Sequence, residues 1–308
     1  MKIVSLLPSA TEIICALGLS DELVGVTHEC DYPPSVTRLP KVTRTLIPHD
    51  ATSSEIDALV RERLKTEKAL YNLDMDVLRQ LQPDLLITQA LCDVCAVCGN
   101  EVLAAARHLP GEPQVINLVP MSLDDLFKTL LLVGEATNRK QTAEQLVSEL
   151  RKREDRVIER TASMIKDEDR LRVVFLEWID PPFNAGHWTP ELVELAGGID
   201  CIGNKHRPSE TTPWQSIVDA RPDVLVIACC GYSAIRTLSD MPILQKQPGW
   251  DNLPCVRQNR VYLIDGSTYF NRPGPRLVDS LEIIAHTLYP DVHPLPPGLP
   301  PAVTYRPN

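Results

Sequence analysis

The sequence predicts an α/β protein: two Rossmann-like α/β lobes joined by a single long helix, with a ligand cleft between the lobes. Three observations carry that expectation. Short apolar runs of strand length alternate with helical stretches along the chain, the pattern of parallel βαβ units. Residues 140–164 run without Pro or Gly and are charged on most faces, with Glu149, Arg151, Lys152, Arg153, Glu154, Asp155 and Arg156 in near succession. A solvated helix bridging two domains reads this way, and so does a long amphipathic surface helix of a single domain. The bridge is preferred because residues 81–88 (Leu-Gln-Pro-Asp-Leu-Leu-Ile-Thr) are echoed at 220–227 (Ala-Arg-Pro-Asp-Val-Leu-Val-Ile), with Pro-Asp directly before an apolar strand in each half.

The elements follow in order. Residues 2–7 form an apolar run read as a buried strand, and Ser9 is a plausible cap for a helix over 10–17. Residues 23–27 make a second strand. Helices are expected over 53–64 and 73–81, a buried strand over 84–88, a helix over 101–108, a strand over 114–117 and a helix over 122–135. Beyond the long helix, strands are expected over 172–178, 223–228 and 261–264, and helices over 190–196 and 276–288. The tail from Pro290 is rich in Pro and reads as irregular or packed over the surface. The expected organisation is a first lobe over 1–138, the bridge over 139–166, a second lobe over 167–290 and a Pro-rich tail over 291–308.

Composition narrows the function. The chain has 308 residues, 44% apolar and 23% charged, enough to bury ordinary cores without staples. Its net charge is −10 with no dense Lys/Arg run, which argues against nucleic acid and anionic membranes as partners. A single Lys and five mostly apolar residues precede Pro8, short of the roughly 7–15-residue apolar stretch of a secretory signal. No apolar run approaches the length of a membrane span. Nine cysteines are an odd number without a secreted-scaffold spacing, so a cytosolic, reducing location is expected.

In parallel α/β sheets, ligands bind beyond the carboxyl ends of the strands. Six of the nine cysteines (Cys30, Cys92, Cys95, Cys98, Cys229 and Cys230) fall in the segments that follow strands. Aromatic residues gather there too, and Tyr32, Trp188, Trp214, Tyr269 and Phe270 are candidates to enclose a large flat ligand. Trp178, inside a strand, reads as core. Cys92-x-x-Cys95-x-x-Cys98 has metal-site spacing, with Cys30, Cys229 or Cys230 available to close the shell around zinc or an iron–sulfur cluster. The same cysteines are equally readable as small buried residues. His28 and His187 are candidate axial ligands. There is no Gly-x-Ser-x-Gly, no phosphate loop ending in Gly-Lys-Ser/Thr and no His-Glu-x-x-His, so an enzyme is the weaker reading.

Taken in order, these residues resemble a known family. Val4-Ser5-Leu6-Leu7-Pro8-Ser9-Ala10-Thr11-Glu12, Val24-Gly25-Val26-Thr27 and Cys30-Asp31-Tyr32-Pro33 look like the opening of the cobalamin-binding periplasmic proteins of bacterial importers. So do residues 81–88, Pro181-Pro182-Phe183 with Gly186, residues 195–198, Pro213-Trp214, and Tyr269-Phe270-Asn271-Arg272 before Pro275-Arg276. The resemblance spans about residues 1–288. It implies a helical-backbone (class III) binding protein with two lobes on one rigid helix, holding a corrinoid or a chelated iron without catalysis. By resemblance, Tyr32, Trp214, Tyr269 and Phe270 match cleft positions, with Arg272 close by. His187 and Trp188 sit beside the matching glycine. Arg44 and Arg272 are then expected to pair with polar groups at the rim of the chelate. The family docks on its importer through one acidic residue per lobe. Here the matching positions hold Asp76 and Gln215, which argues against importer docking and for a leaderless cytosolic relative. The cysteine-rich run, a counterpart of which the cobalamin proteins lack, keeps a Cys-ligated metal or iron–sulfur site as the alternative function.

Overall fold

A computed structural model describes residues 1–45, 51–66, 71–89 and 99–306. The chain divides into two compact units, Met1–Pro120 with Asp124–Ser148, and Met121–Leu123 with Glu149–Asn308.

The first unit contains β1 (Ile3–Ser5), α1 (Pro8–Ala16), β2 (Leu23–Val26), β3 (Thr43–Thr45), α2 (Ser53–Thr66), β4 (Tyr71–Leu73), α3 (Met75–Leu81), β5 (Leu85–Gln89), α4 (Gly99–Ala106), β6 (Gln114–Leu118) and most of α5 (Leu123–Ala136). Its sheet runs β2-β1-β5-β6, every pair parallel, and β3 pairs with β4 as a separate antiparallel ribbon. Strands buried on both faces need apolar residues throughout, and Leu85, Leu86 and Ile87 of β5 are all buried. Val4, Leu6, Val42, Leu78, Leu86 and Val102 form one core cluster there. Several expected boundaries move, two of them for a plain local reason. Helix α1 starts at Pro8, whose missing N–H costs nothing in the first turn, so Ser9 lies inside it rather than capping it. Helix α3 begins later than expected, at Met75, because Leu73 belongs to β4 and Asp74 caps the helix by accepting from the Val77 N–H at 3.1 Å.

Helix α6 (Lys140–Met164) coincides with the stretch free of Pro and Gly, and the division between the units falls inside it, between Ser148 and Glu149.

The second unit contains β7 (Arg172–Ile179), β8 (Pro182–Asn184), β9 (Gly186–His187), α7 (Thr189–Leu195), β10 (Ile199–Asp200), β11 (Asn204–Lys205), α8 (Trp214–Ala220), β12 (Val224–Ile227), α9 (Ala234–Gln245), α10 (Pro254–Arg257), β13 (Val261–Leu263), α11 (Leu277–Leu288) and β14 (Val303–Thr304). Its main sheet runs β10-β7-β12-β13-β14, parallel except for β14, while β8 folds back antiparallel on β7. The Pro-rich tail is thus fastened, with β14 on the sheet and Tyr305 buried beside Trp250. Helix α9 was not foreseen because Pro242 interrupts its pattern.

The sequence echo is a structural repeat. Gln82 and Arg221 both adopt left-handed backbone (φ 49° and 45°) at the ends of α3 and α8. A proline follows each, and then an aspartate that clamps the start of the neighbouring strand. Asp84 accepts from the Lys2 N–H at 2.7 Å, and Asp223 from the Arg172 N–H at 2.9 Å. The aspartate N–H groups return the bond to the Lys2 and Arg172 carbonyls, each at 2.8 Å.

Candidate functional site

In the first unit the segment after β2 is tied down by side chains. His28 Nδ1 lies 2.8 Å from Thr43 Oγ1, and its Nε2 lies 3.1 Å from a Glu29 carboxylate oxygen. Cys30 is buried with its Sγ 3.0 Å from Thr11 Oγ1, which donates to Ser5 Oγ at 2.8 Å. Its thiol is therefore part of a local hydroxyl network. Tyr32 is exposed, 45% accessible, just beyond this knot. Arg44 on β3 reaches into solvent and pairs with Asp74 at 2.9 Å. Cys92, Cys95 and Cys98 lie outside the described residues. Among the described residues, no three His, Cys, Asp or Glu side chains are grouped to hold a metal ion. Cys230 is exposed beside Cys229, whose thiol is buried and pushed up to about 12 by that burial.

The second unit builds more at the carboxyl ends of its strands. At the end of β7, Trp178 is half-buried and its indole N–H donates to the Asp180 carbonyl at 3.1 Å. Its ring lies 4.9 Å from that of Tyr232, which follows β12. The Arg236 guanidinium sits 4.4 Å from the centroid of the Tyr232 ring and pairs with Asp240 at 2.7 Å. An indole, a phenol and a guanidinium thus stand together where the sheet ends. Trp178, expected in the core, is instead part-exposed. Its place as the second-last residue of β7 was the signal that it reaches the sheet edge.

The loops around this group are held by close backbone approaches. Gly266 opens a wide turn, Gly266–Phe270, pressed against the end of β12, where a Cβ would fall 2.2 Å from the Cys229 carbonyl oxygen. Asp265 caps the turn, accepting from the Thr268 N–H at 2.7 Å. Tyr269 is half-buried there, and Arg272 is buried with Nη2 3.4 Å from Ser267 Oγ, while half-buried Phe183 on β8 pairs with Trp178. At Gly186 a Cβ would meet the Ser209 backbone nitrogen at 2.2 Å. The Gly186 N–H donates to Glu177 at 3.0 Å. Burial pushes the Glu177 carboxyl up to about 7, against hydrogen bonds from Gly186, Ser209 and Thr189.

Two of the expected contact residues, Trp188 and Phe270, are buried. Trp188 is 5% exposed, and its indole N–H donates to the Phe270 carbonyl at 2.8 Å. Phe270 is itself buried, 4.9 Å from the Phe175 ring. These two rings hold the turn in place. Trp214 is half-buried, stacked 6.2 Å from Trp250, with its N–H donated to the Pro248 carbonyl at 2.8 Å. His187 is partly buried at φ 53°, its Nε2 lacking a hydrogen-bond partner among the described residues, and burial lowers its pKa. Of the docking positions, Asp76 is exposed and pairs with Arg79, while the Gln215 amide donates to Asp219 at 2.7 Å.

Each unit is thus built on a parallel sheet, and in the second an aromatic–cation group stands at the carboxyl ends of the strands. The periplasmic binding protein family matches residues 3–268, and the chain belongs to that family. It is 26% identical over 297 residues to an uncharacterized ABC transporter substrate-binding lipoprotein, YvrC, of Bacillus subtilis, covering 94% of this chain and 80% of the relative. It is 22% identical to a vitamin B12-binding protein of Vibrio cholerae, covering 91% of this chain and 86% of that one. The solved structure of a periplasmic haem-binding protein from Pseudomonas aeruginosa superposes with a TM-score of 0.73 at 21% identity, covering 100% of this chain and 99% of that chain. The fold is that of a binding protein, with a helix linking two lobes, and the relatives are solute-binding proteins rather than enzymes. No helix among the described residues is long and apolar enough to cross a membrane.

Proposed function

We propose that this chain binds a large planar metal chelate of the corrinoid, haem or iron-chelate class, with a corrinoid preferred, and does no chemistry on it. The observation that carries the reading is the half-buried Trp178 ring at the carboxyl edge of the second unit's sheet, backed by the buried Tyr232 ring with the part-exposed Arg236 guanidinium beside it. Aromatic faces suit the apolar faces of a macrocycle, and a guanidinium suits the amide, carboxylate or phosphate groups on its rim. Half-buried Tyr269 stands nearby, in the turn whose Gly266 and Ser267 N–H groups donate to the Tyr232 carbonyl at 3.1 and 3.2 Å. The binding of vitamin B12 and haem by the relatives supports the ligand class. The test is a spectral titration of the purified chain with cyanocobalamin, haemin and a ferric siderophore. A saturable 1:1 change with cyanocobalamin at the lowest concentration supports the preference. Saturation by none of the three contradicts the function.

We also propose a cytosolic location, on the thiols alone. All six described cysteines are free, and burial pushes Cys229 and Cys255 up to about 12, which keeps both as unreactive thiols. Fractionation of the native host tests it, and recovery outside the cytosol overturns it.

A further inference from the structure

The second unit also holds an open-sided cavity of about 630 Å³ that shares no residue with the site above. One wall is α6, where Arg153, Arg156, Val157 and Arg160 fall on a single face at helical spacing. The opposite wall is α11, with Asp279, Glu282 and Ala285, and the Pro-rich segment from His293 to Leu299 closes a third side. That segment is anchored at both ends. His293 is buried with Nε2 3.2 Å from Thr161 Oγ1, and further on β14 joins the sheet.

The charges inside are unequally used. Arg153 donates to both Asp279 and Glu282, which occupies its fork and both carboxylates. Arg156 and Arg160 are exposed one turn apart, and among the described residues neither guanidinium has a hydrogen-bond or ion-pair partner. Beside them lie the apolar side chains of Val157, Ala285 and Leu295. His293 adds no positive charge near neutrality, because burial first, then Arg160 and His286, push it down to about 4.

We propose that this cavity is a second binding site, for a small organic anion with a compact apolar body and a single carboxylate or phosphate head. The head lies between Arg156 and Arg160, which present two donor forks without a competing carboxylate. The body rests on Val157, Ala285 and Leu295. The volume falls in the range of small-molecule pockets. The site stands apart from the chelate reading, and neither depends on the other.

The test is calorimetric titration of the full chain with phenyl phosphate, benzoate and phenol. Saturable 1:1 binding of phenyl phosphate or benzoate is expected, with phenol far weaker, and the heat identifies which head is preferred. Arg156→Ala with Arg160→Ala should weaken binding roughly tenfold or more. The paired lysine variants should fall between. Both arginine side chains are exposed, so the melting temperature of the alanine double variant should match that of the parent and show that the loss is local. No saturation by either anion up to about 10 mM overturns the proposal. Equal affinity in the alanine double variant, or phenol binding as well as benzoate, also overturns it.

Discussion

The indole ring of Trp178 lies 4.9 Å from the phenol ring of Tyr232, with the two planes inclined by 50°. Trp178 is the second-last residue of β7 and Tyr232 lies beyond the end of the neighbouring β12, so the two rings meet past the paired stretch of these strands. If this pair is the platform for a chelate, Trp178→Ala should weaken binding by about 1–3 kcal/mol, the value of losing most of an aromatic contact area. Titration of the variant checks it, and an unchanged dissociation constant removes Trp178 from the site.

Glu177 makes stability pH-dependent in a definite direction. The native carboxyl holds its proton up to about 7, whereas its ordinary value is 4.5. Between those values the folded state binds more protons than the unfolded one, so stability falls as pH rises through the window. The contribution is at most about 3 kcal/mol. Asp200, pushed up to about 6 by burial, acts in the same direction. His293, pushed down to about 4, acts oppositely and loses stability as pH falls. The quantity to read is therefore the difference between Glu177→Gln and the parent in thermal melts. The variant should gain relative stability from pH 5 to pH 8, and a constant difference would show that Glu177 is not held protonated.

Gly266→Ala places a Cβ 2.2 Å from the Cys229 carbonyl oxygen, and backbone on both sides must move. A loss of about 2 kcal/mol or more in denaturant unfolding is expected, with weaker chelate binding because the turn carrying Tyr269 shifts. Parent-like stability would mean that the turn is not pressed on β12 as described.

Arg153→Met leaves Asp279 and Glu282 facing each other without their cation. Both carboxylates are largely buried, while Arg153 is partly open to solvent, so the cost should be about 2–3 kcal/mol rather than the full value of a buried pair. Adding Asp279→Asn and Glu282→Gln should recover part of it. A triple variant no better than the single one would contradict the pairing.

The fold was legible because its signals are local. A strand buried on both faces must be apolar, and a charged helix free of Pro and Gly must be solvated, which sets residues 85–88 and all of α6. The Pro-Asp repeat was visible as an echo, and the structure gives its cause in the strand-start clamps of Asp84 and Asp223. The site was harder to read. Trp178, Trp188 and Phe270 differ little by residue type, and what separates a presented ring from a structural one is where its N–H goes and what packs behind it. Trp188 spends its N–H on the Phe270 carbonyl across 82 residues, a long-range bond that sequence cannot display. Arg236 was missed for a related reason. It lies on α9, whose pattern Pro242 obscures.

The central claim is tested most directly by gel filtration of the chain after incubation with cyanocobalamin, with corrinoid absorbance and protein quantified in the same fractions. Elution of corrinoid with protein at 1:1, lost when Trp178 and Tyr232 are both changed to Ala, is the predicted result. Corrinoid eluting wholly free of the parent protein would contradict the account.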